Sequence, residues 1–179
     1  MKRPAVFLDR DGTLIEEVNF LSRVEDLRLF EFSRSAVAAL KDAGFLVIVV
    51  TNQSGIGRGL YSESAMHQIH DRIQSELLGA IDAFYFCPHL PENGCLCRKP
   101  NLGMIETARS QFEIDLEGSW MIGDKVIDIE TGIRSNLRTA MVLTGYGTEH
   151  QTVLEVRPTI ISDHFGIAAA EIIQRSISS

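Results

Sequence analysis

Phe45-Leu46-Val47-Ile48-Val49-Val50 is an unbroken apolar run, with Gly44 before it and Thr51-Asn52-Gln53-Ser54-Gly55 after it. A strand with one wet face alternates apolar and polar residues. A continuous run instead reads as a strand covered on both faces, the habit of a parallel sheet. Working outward, Ser33 stands where a helix to Ala43 would be capped, with Val37 and Leu40 inward and Gly44 as its stop. Val6-Phe7-Leu8 is an earlier buried strand, and Ser62 opens a helix whose Met66, Ile69, Ile73 and Leu77 recur at helical spacing. Ala83-Phe84-Tyr85-Phe86 is a third strand, and a helix marked by Met104, Ile105, Ala108 and Phe112 follows it. Then come the strand Trp120-Met121-Ile122, a helix with Val126, Ile129 and Ile133 inward, and the strand Ala140-Met141-Val142-Leu143. Thr159-Ile160-Ile161 and a helix from about Asp163 to Ile177 complete the pattern. Strands alternating with helices predict an α/β domain with a parallel sheet between two helical layers.

The chain has 179 residues, close to the ~150 expected of one domain, so residues 1–179 are read as a single unit. Hydrophobic residues at 45% and charged residues at 23% exclude a disordered or collagen-like chain. Lys+Arg 17 against Asp+Glu 24 leaves a net charge of −7, which gives no footprint for nucleic acid or an anionic membrane. No stretch is long enough to span a bilayer, and Asp9 interrupts the N-terminal apolar residues too early for a secretory signal. The cytoplasm is the expected compartment, and nothing demands more than a monomer.

In a parallel α/β sheet, ligands sit beyond the carboxyl ends of the strands. Asp9-Arg10-Asp11-Gly12-Thr13 follows the first strand directly, and two carboxylates two residues apart repel one another there. A divalent cation removes that conflict, and oxygen-only ligands suit Mg²⁺; an Asx-turn uses the same residue types. Asp124, in Ile122-Gly123-Asp124-Lys125, adds a carboxylate from a second strand end, a position that also suits a helix N-cap. Asp128 lies one helical turn further on, placed to hold water on the metal or to brace Lys125. Thr51 to Gly55 offers a hydroxyl and exposed amides, a cradle for phosphate oxygens. The glycines at 55, 57 and 59 have the wrong spacing and the wrong strand for a dinucleotide loop. Lys99 is the local cation that could anchor a phosphate.

All three cysteines fall within Cys87-Pro88-His89 and Cys95-Leu96-Cys97. Three sulfurs and one imidazole make a closed tetrahedral Zn²⁺ site with no open position for catalysis. The intervening Pro91, Glu92, Asn93 and Gly94 form a polar loop that cannot build a core of its own, so a structural metal would fix residues 87–97.

Asp9-x-Asp11-Gly-Thr, Thr51, Lys99 and Gly123-Asp124-x-x-x-Asp128, in that order, resemble the haloacid dehalogenase superfamily of phosphohydrolases. The resemblance covers about residues 5 to 145. It implies a Rossmann-like three-layer α/β domain without a separate cap domain, and Mg²⁺-dependent phosphoryl transfer. Asp9 would be the nucleophile that forms an aspartyl-phosphate. Asp11 would protonate the leaving oxygen and later activate water. Mg²⁺ would be held by Asp9, the Asp11 backbone carbonyl and Asp124, while Thr51 and Lys99 would hold the transferring oxygens. Together with the Cys-x-His…Cys-x-Cys loop, Thr-Asn-Gln-Ser-Gly-Ile and Cys-Arg-Lys-Pro, the set is similar to the branch of heptose bisphosphate and histidinol-phosphate phosphatases. By that match Glu17, Val18, Asn19 and Phe20, with Thr51, Asn52, Gln53 and Ser54, would line a small phosphorylated sugar, and Arg98 and Lys125 would touch it.

The leading expectation is therefore a heptose bisphosphate phosphatase in nucleotide-activated heptose and lipopolysaccharide core precursor synthesis, ahead of a histidinol-phosphate phosphatase. From other classes come a phosphoacceptor signalling domain, which has no need of a zinc loop, and a zinc-stabilised binding module without activity. The gaps between Asp11, Thr51 and Lys99 leave room only for loops, chiefly Glu16 to Asp26 and the zinc loop, to exclude water. His67 and His70 read as solvent-facing, Trp120 as core, and Arg134 and Arg138 as surface groups.

Overall fold

The computed structural model describes residues 2–177. Their elements in chain order are β1 (Arg3–Leu8), α1 (Ser33–Asp42), β2 (Leu46–Asn52), α2 (Ser54–Gly57), α3 (Glu63–Glu76) and β3 (Ala83–Cys87). Next are α4 (Gly103–Gln111), β4 (Ile114–Gly123), α5 (Val126–Arg134), β5 (Arg138–Val142), α6 (Gly147–His150), β6 (Ile160–Ser162) and α7 (Phe165–Ile177). The strands form one six-stranded sheet in the order β3-β2-β1-β4-β5-β6, parallel throughout.

The apolar run in β2 is buried from Leu46 to Thr51, as a strand covered on both faces requires. Its residues divide by parity. Val47 and Val49 join Val6 and Leu8 under α1, α3 and α7, whereas Leu46, Ile48 and Val50 join Ala5 and Phe7 under α4. Each fully buried aliphatic contributes roughly 1.5–3 kcal/mol, so both layers are firmly held. This three-layer α/β arrangement puts the carboxyl ends of β1, β2, β3 and β4 along one edge. Between β1 and α1, and between β3 and α4, there is no cap domain. Those connections carry only the short 3₁₀ turns Val24–Asp26 and Pro91–Asn93.

Two local expectations are corrected. Ser33 does not cap α1: Phe32 holds that position, and the buried Ser33 hydroxyl donates to the Leu14 carbonyl at 2.7 Å. Ile133 is 40% exposed rather than inward. Gly132 takes the sheet-facing place because α5 approaches Met121 and Thr139 too closely for any Cβ, and this rotates Ile133 outward. By contrast Ser62 does cap α3, its side chain accepting from the Ala65 N–H, and Trp120 is buried. Among the described residues no helix is long and apolar enough to cross a membrane.

Candidate active site

Asp9 leaves β1 with its N–H donating to the Ile122 carbonyl of β4, so the first and fourth strands deliver Asp9 and Asp124 side by side. Oxygens of Asp9, Asp124 and Asp128 all lie within 4.8 Å of one another, and all three residues are buried. Such a cluster is untenable without cations. Lys99, also buried, supplies one: its Nζ donates to Asp9 Oδ1 at 2.8 Å and Asp128 Oδ1 at 2.6 Å. Burial alone would push the Lys99 ammonium down, but the carboxylates of Asp128 and Asp9 outweigh it and hold its pKa above the ordinary lysine value.

Asp128 braces this arrangement rather than reaching outward. Its other oxygen accepts the Lys125 backbone N–H at 3.0 Å, which also ties down the first turn of α5. Lys125, not Asp124, is therefore the N-cap of α5. Asp124 Oδ2 accepts the Tyr146 N–H at 2.8 Å, while Oδ1 is buried and has no partner among the described residues. Burial, and then the charge of Asp9, push the Asp124 carboxyl up to about 8. An orphaned buried oxygen beside a second carboxylate fits an oxygen-ligated Mg²⁺. Gly12 (φ 80°) and Gly145 (φ 57°) close over Asp124 so tightly that a Cβ on either would collide with its carboxylate.

Asp11 points away from that cluster. Arg10 grips its carboxylate with Nε and Nη2, both at 3.0 Å, and Gln53 Nε2 adds a third donor at 2.9 Å. Gln53 Nε2 also donates to Thr51 Oγ1 at 2.8 Å, which leaves the Thr51 hydroxyl proton to be given elsewhere. Gln53 Oε1 accepts from Arg10 and from the Tyr61 hydroxyl, at 3.0 and 2.6 Å. His70, expected at the surface, is instead buried beside Arg10, whereas His67 is exposed and lies 3.6 Å from Glu63. The signal was present: His70 falls four after Met66 and three before Ile73, within the apolar stripe of α3.

A cleft of about 340 Å³ opens above these groups and is lined by Asp11, Glu17, Asn19, Phe20, Asn52, Gln53, Ser54, Arg98 and Lys125. Val18 is not among its walls and packs against the core. Both polar ends of the Asn52 amide are taken by the backbone of Lys99, at 3.0 and 3.2 Å, so Asn52 fixes Lys99 in place. Glu17 pairs with Lys125 at 3.4 Å, and Lys125 Nζ sits 4.7 Å from the centre of the Tyr146 ring. Burial raises the Glu17 carboxyl despite that lysine. Tyr61, Ile127, Tyr146 and His150 also line the cleft. Sequence reading missed the last two because the segment after β5 carries no motif.

At the end of β3 the four expected ligands converge. Sulfur–sulfur separations among Cys87, Cys95 and Cys97 are 3.1–3.5 Å, and His89 Nδ1 lies 3.2 Å from Cys97 and 3.6 Å from Cys87. Three sulfurs and one imidazole nitrogen gathered this closely could hold a small thiophilic ion such as Zn²⁺. Arg98, next along the chain, donates to the His89 carbonyl at 3.2 Å, and the Lys99–Pro100 bond is cis.

Comparison with known proteins agrees with this geometry. Residues 96–168 match the family described as HAD-hyrolase-like. The chain is 43% identical over 162 residues to a D-glycero-D-manno-heptose-1,7-bisphosphate 7-phosphatase of Thermosynechococcus vestitus, covering 82% of each protein. It is 32% identical to the D-glycero-beta-D-manno-heptose-1,7-bisphosphate 7-phosphatase of Pseudomonas aeruginosa, over 97% of this chain and 100% of that one. In three dimensions it is similar to D,D-heptose 1,7-bisphosphate phosphatase from B. bronchiseptica complexed with magnesium and phosphate. That comparison has a TM-score of 0.90 at 29% identity, over 96% of this chain and 99% of the other.

Proposed function

The chain belongs to the haloacid dehalogenase-like phosphohydrolases of the heptose-1,7-bisphosphate 7-phosphatase family, and from that membership we propose that it removes the 7-phosphate of D-glycero-D-manno-heptose 1,7-bisphosphate. The observation that carries the reading is the meeting of Asp9, Asp124 and Lys99 where β1 and β4 end.

In this reading Asp9 is the nucleophile. Its carboxylate attacks the phosphorus of the 7-phosphate, an aspartyl-phosphate forms, and the bond from phosphorus to the sugar oxygen breaks. Asp11 gives its proton to that oxygen, then takes a proton from the water that attacks the phosphorus and returns Asp9 to a carboxylate. The Thr51 hydroxyl and the Lys99 ammonium hold the transferring oxygens. Asp9, Asp124 and the Asp11 carbonyl would hold Mg²⁺, which supplies charge neutralisation for the transferring group. Glu17, Asn19, Phe20, Ser54, Arg98 and Lys125 would meet the rest of the sugar. Cys87, His89, Cys95 and Cys97 would hold Zn²⁺ as a structural ion, and reduced thiolates suit a cytoplasmic protein. Residues 1–179 act as one domain and as a monomer.

The test is phosphate release, in Mg²⁺, from both anomers of the heptose bisphosphate and from histidinol phosphate. A kcat/KM for either heptose anomer well above that for histidinol phosphate is expected. The reverse preference would overturn the substrate, and no release from any phosphate ester would overturn the activity.

A further inference from the structure

Arg10 is one of the largest side chains sealed from solvent, with 1% exposure. A buried guanidinium is tolerable only when its donors are met. Nε and Nη2 face Asp11, Nη2 also reaches Gln53, and Nη1 lies 3.3 Å from His70 Nε2. A guanidinium only donates, so His70 Nε2 accepts and the ring proton sits on Nδ1. The imidazole stacks on Phe84, with ring centres 4.6 Å apart and planes 21° from parallel. Burial, and then the neighbouring Arg10 charge, push His70 down to about 3, so it stays a neutral acceptor at physiological pH. The reaction steps above make no use of this histidine.

We propose that His70 and Arg10 are positioning residues that hold the carboxylate of Asp11 in one orientation toward the cleft. The inference rests on the reading of Asp11 as the proton-transfer group. His70 fixes the outer arm of the guanidinium, and this leaves Nε and Nη2 as a rigid fork against both Asp11 oxygens. Without the acceptor, Arg10 turns to find another partner and carries the carboxylate with it. Misplacement by ~1 Å is enough to cost about 100-fold in a positioned reaction.

The test compares kcat/KM on two phosphate esters. From heptose 1,7-bisphosphate the leaving group is a sugar alkoxide that needs a proton, whereas from p-nitrophenyl phosphate it is a stable p-nitrophenolate that does not. Because kcat/KM reports only steps through formation of the aspartyl-phosphate, its later hydrolysis drops out of the comparison. His70→Phe, which keeps the stacking, should lose roughly 10-fold or more on the heptose ester and under about 3-fold on p-nitrophenyl phosphate. His70→Gln, whose amide oxygen can accept from Nη1, should recover most of the loss. Arg10→Lys keeps the charge but not the fork, and should show the same selectivity if His70→Phe proves too unstable to assay. Equal losses on both esters, or none, in these variants would overturn the proposal. Asp11→Asn is measured in parallel. If it too loses both esters equally, the role given to Asp11 fails; if it is selective and the His70 and Arg10 variants are not, only the positioning role fails.

Discussion

Lys99 and Asp9 form an ion pair sealed from solvent, with the Lys99 ammonium donating across 2.8 Å to Asp9 Oδ1. The same ammonium reaches Asp128, so one lysine compensates two buried carboxylates. Replacing it with methionine would leave both without their cation. Lys99→Met should destabilise the protein by about 3–5 kcal/mol, the usual cost of breaking a buried pair from one side. Urea unfolding of the metal-free protein measures this, and a change below ~1 kcal/mol would contradict the pairing.

Asp9→Asn separates chemistry from folding. The amide is nearly isosteric but a poor nucleophile, so turnover should fall by roughly 10³-fold or more. The substitution costs Lys99 one of its two carboxylates but leaves it Asp128 and relieves the repulsion on Asp124, so the metal-free variant should stay folded and melt close to the parent. Turnover near the parent rate would dispose of Asp9 as nucleophile.

Asp124 predicts how stability depends on pH and magnesium. The folded protein keeps its proton up to about pH 8, while the unfolded chain releases it near the ordinary 3.8. Between those values the folded state binds more protons, so raising the pH across the window lowers stability through this group. Mg²⁺ competes with that proton and should raise the melting temperature more at pH 8.5 than at pH 5.5. At a concentration ~100 times its dissociation constant, the gain is about 2.7 kcal/mol. An equal shift at both pH values would place the ion elsewhere.

The thiol cluster predicts about one zinc per chain by elemental analysis of protein made with zinc supplied. Cys97→Ser should lower that content and the melting temperature together. Brief EDTA treatment followed by excess Mg²⁺ should restore activity wherever the zinc is retained. Protein that is active and stable with no zinc would refute the assignment.

Arg98 is anchored to the His89 carbonyl and lines the cleft, so it is placed to read a part of the substrate remote from the reacting phosphorus. Losing one charge-assisted contact of about 1.5–3 kcal/mol corresponds to roughly 10- to 150-fold in kcat/KM. Arg98→Ala should show that loss on the heptose bisphosphate and a far smaller one on p-nitrophenyl phosphate. Arg98→Lys should not repair it, because a forked contact needs the guanidinium. Equal losses on both esters would reject Arg98 as a specificity residue.

Much of the site is legible in the sequence because its chemistry sits at strand ends, where polar residues interrupt apolar runs. Asp9, Thr51 and Asp124 each follow such a run, and the cysteines declare themselves by spacing within one loop. What stays hidden depends on partners distant in the chain. Nothing near Asn52 reveals that its amide is occupied by the Lys99 backbone, or near Arg10 that its outer arm meets His70. Val18 belongs to a segment without a pattern, and which of its neighbours turn to the cleft is decided by packing against the core. Ile133 faces solvent because Gly132, a residue with no hydrophobic signal, makes the closest approach to the sheet.

The sheet order also links assembly of the carboxylate cluster to the order in which the strands are synthesised. β1 pairs with β2 on one side and with β4 on the other, but β4 begins only at Ile114. A nascent chain that has emerged as far as α4 carries Asp9, Asp11, Thr51 and Lys99 and can already pair β1, β2 and β3. It still lacks Asp124, and the flank of β1 that β4 will cover is an open hydrogen-bonding edge bearing Val6, Phe7 and Leu8. Arrival of β4 closes that adhesive edge and brings Asp124 beside Asp9 in the same event, with Asp128 following on α5. The strand that shields β1 is therefore the strand that delivers the second carboxylate, and the open edge passes outward to β4 until β5 and β6 arrive.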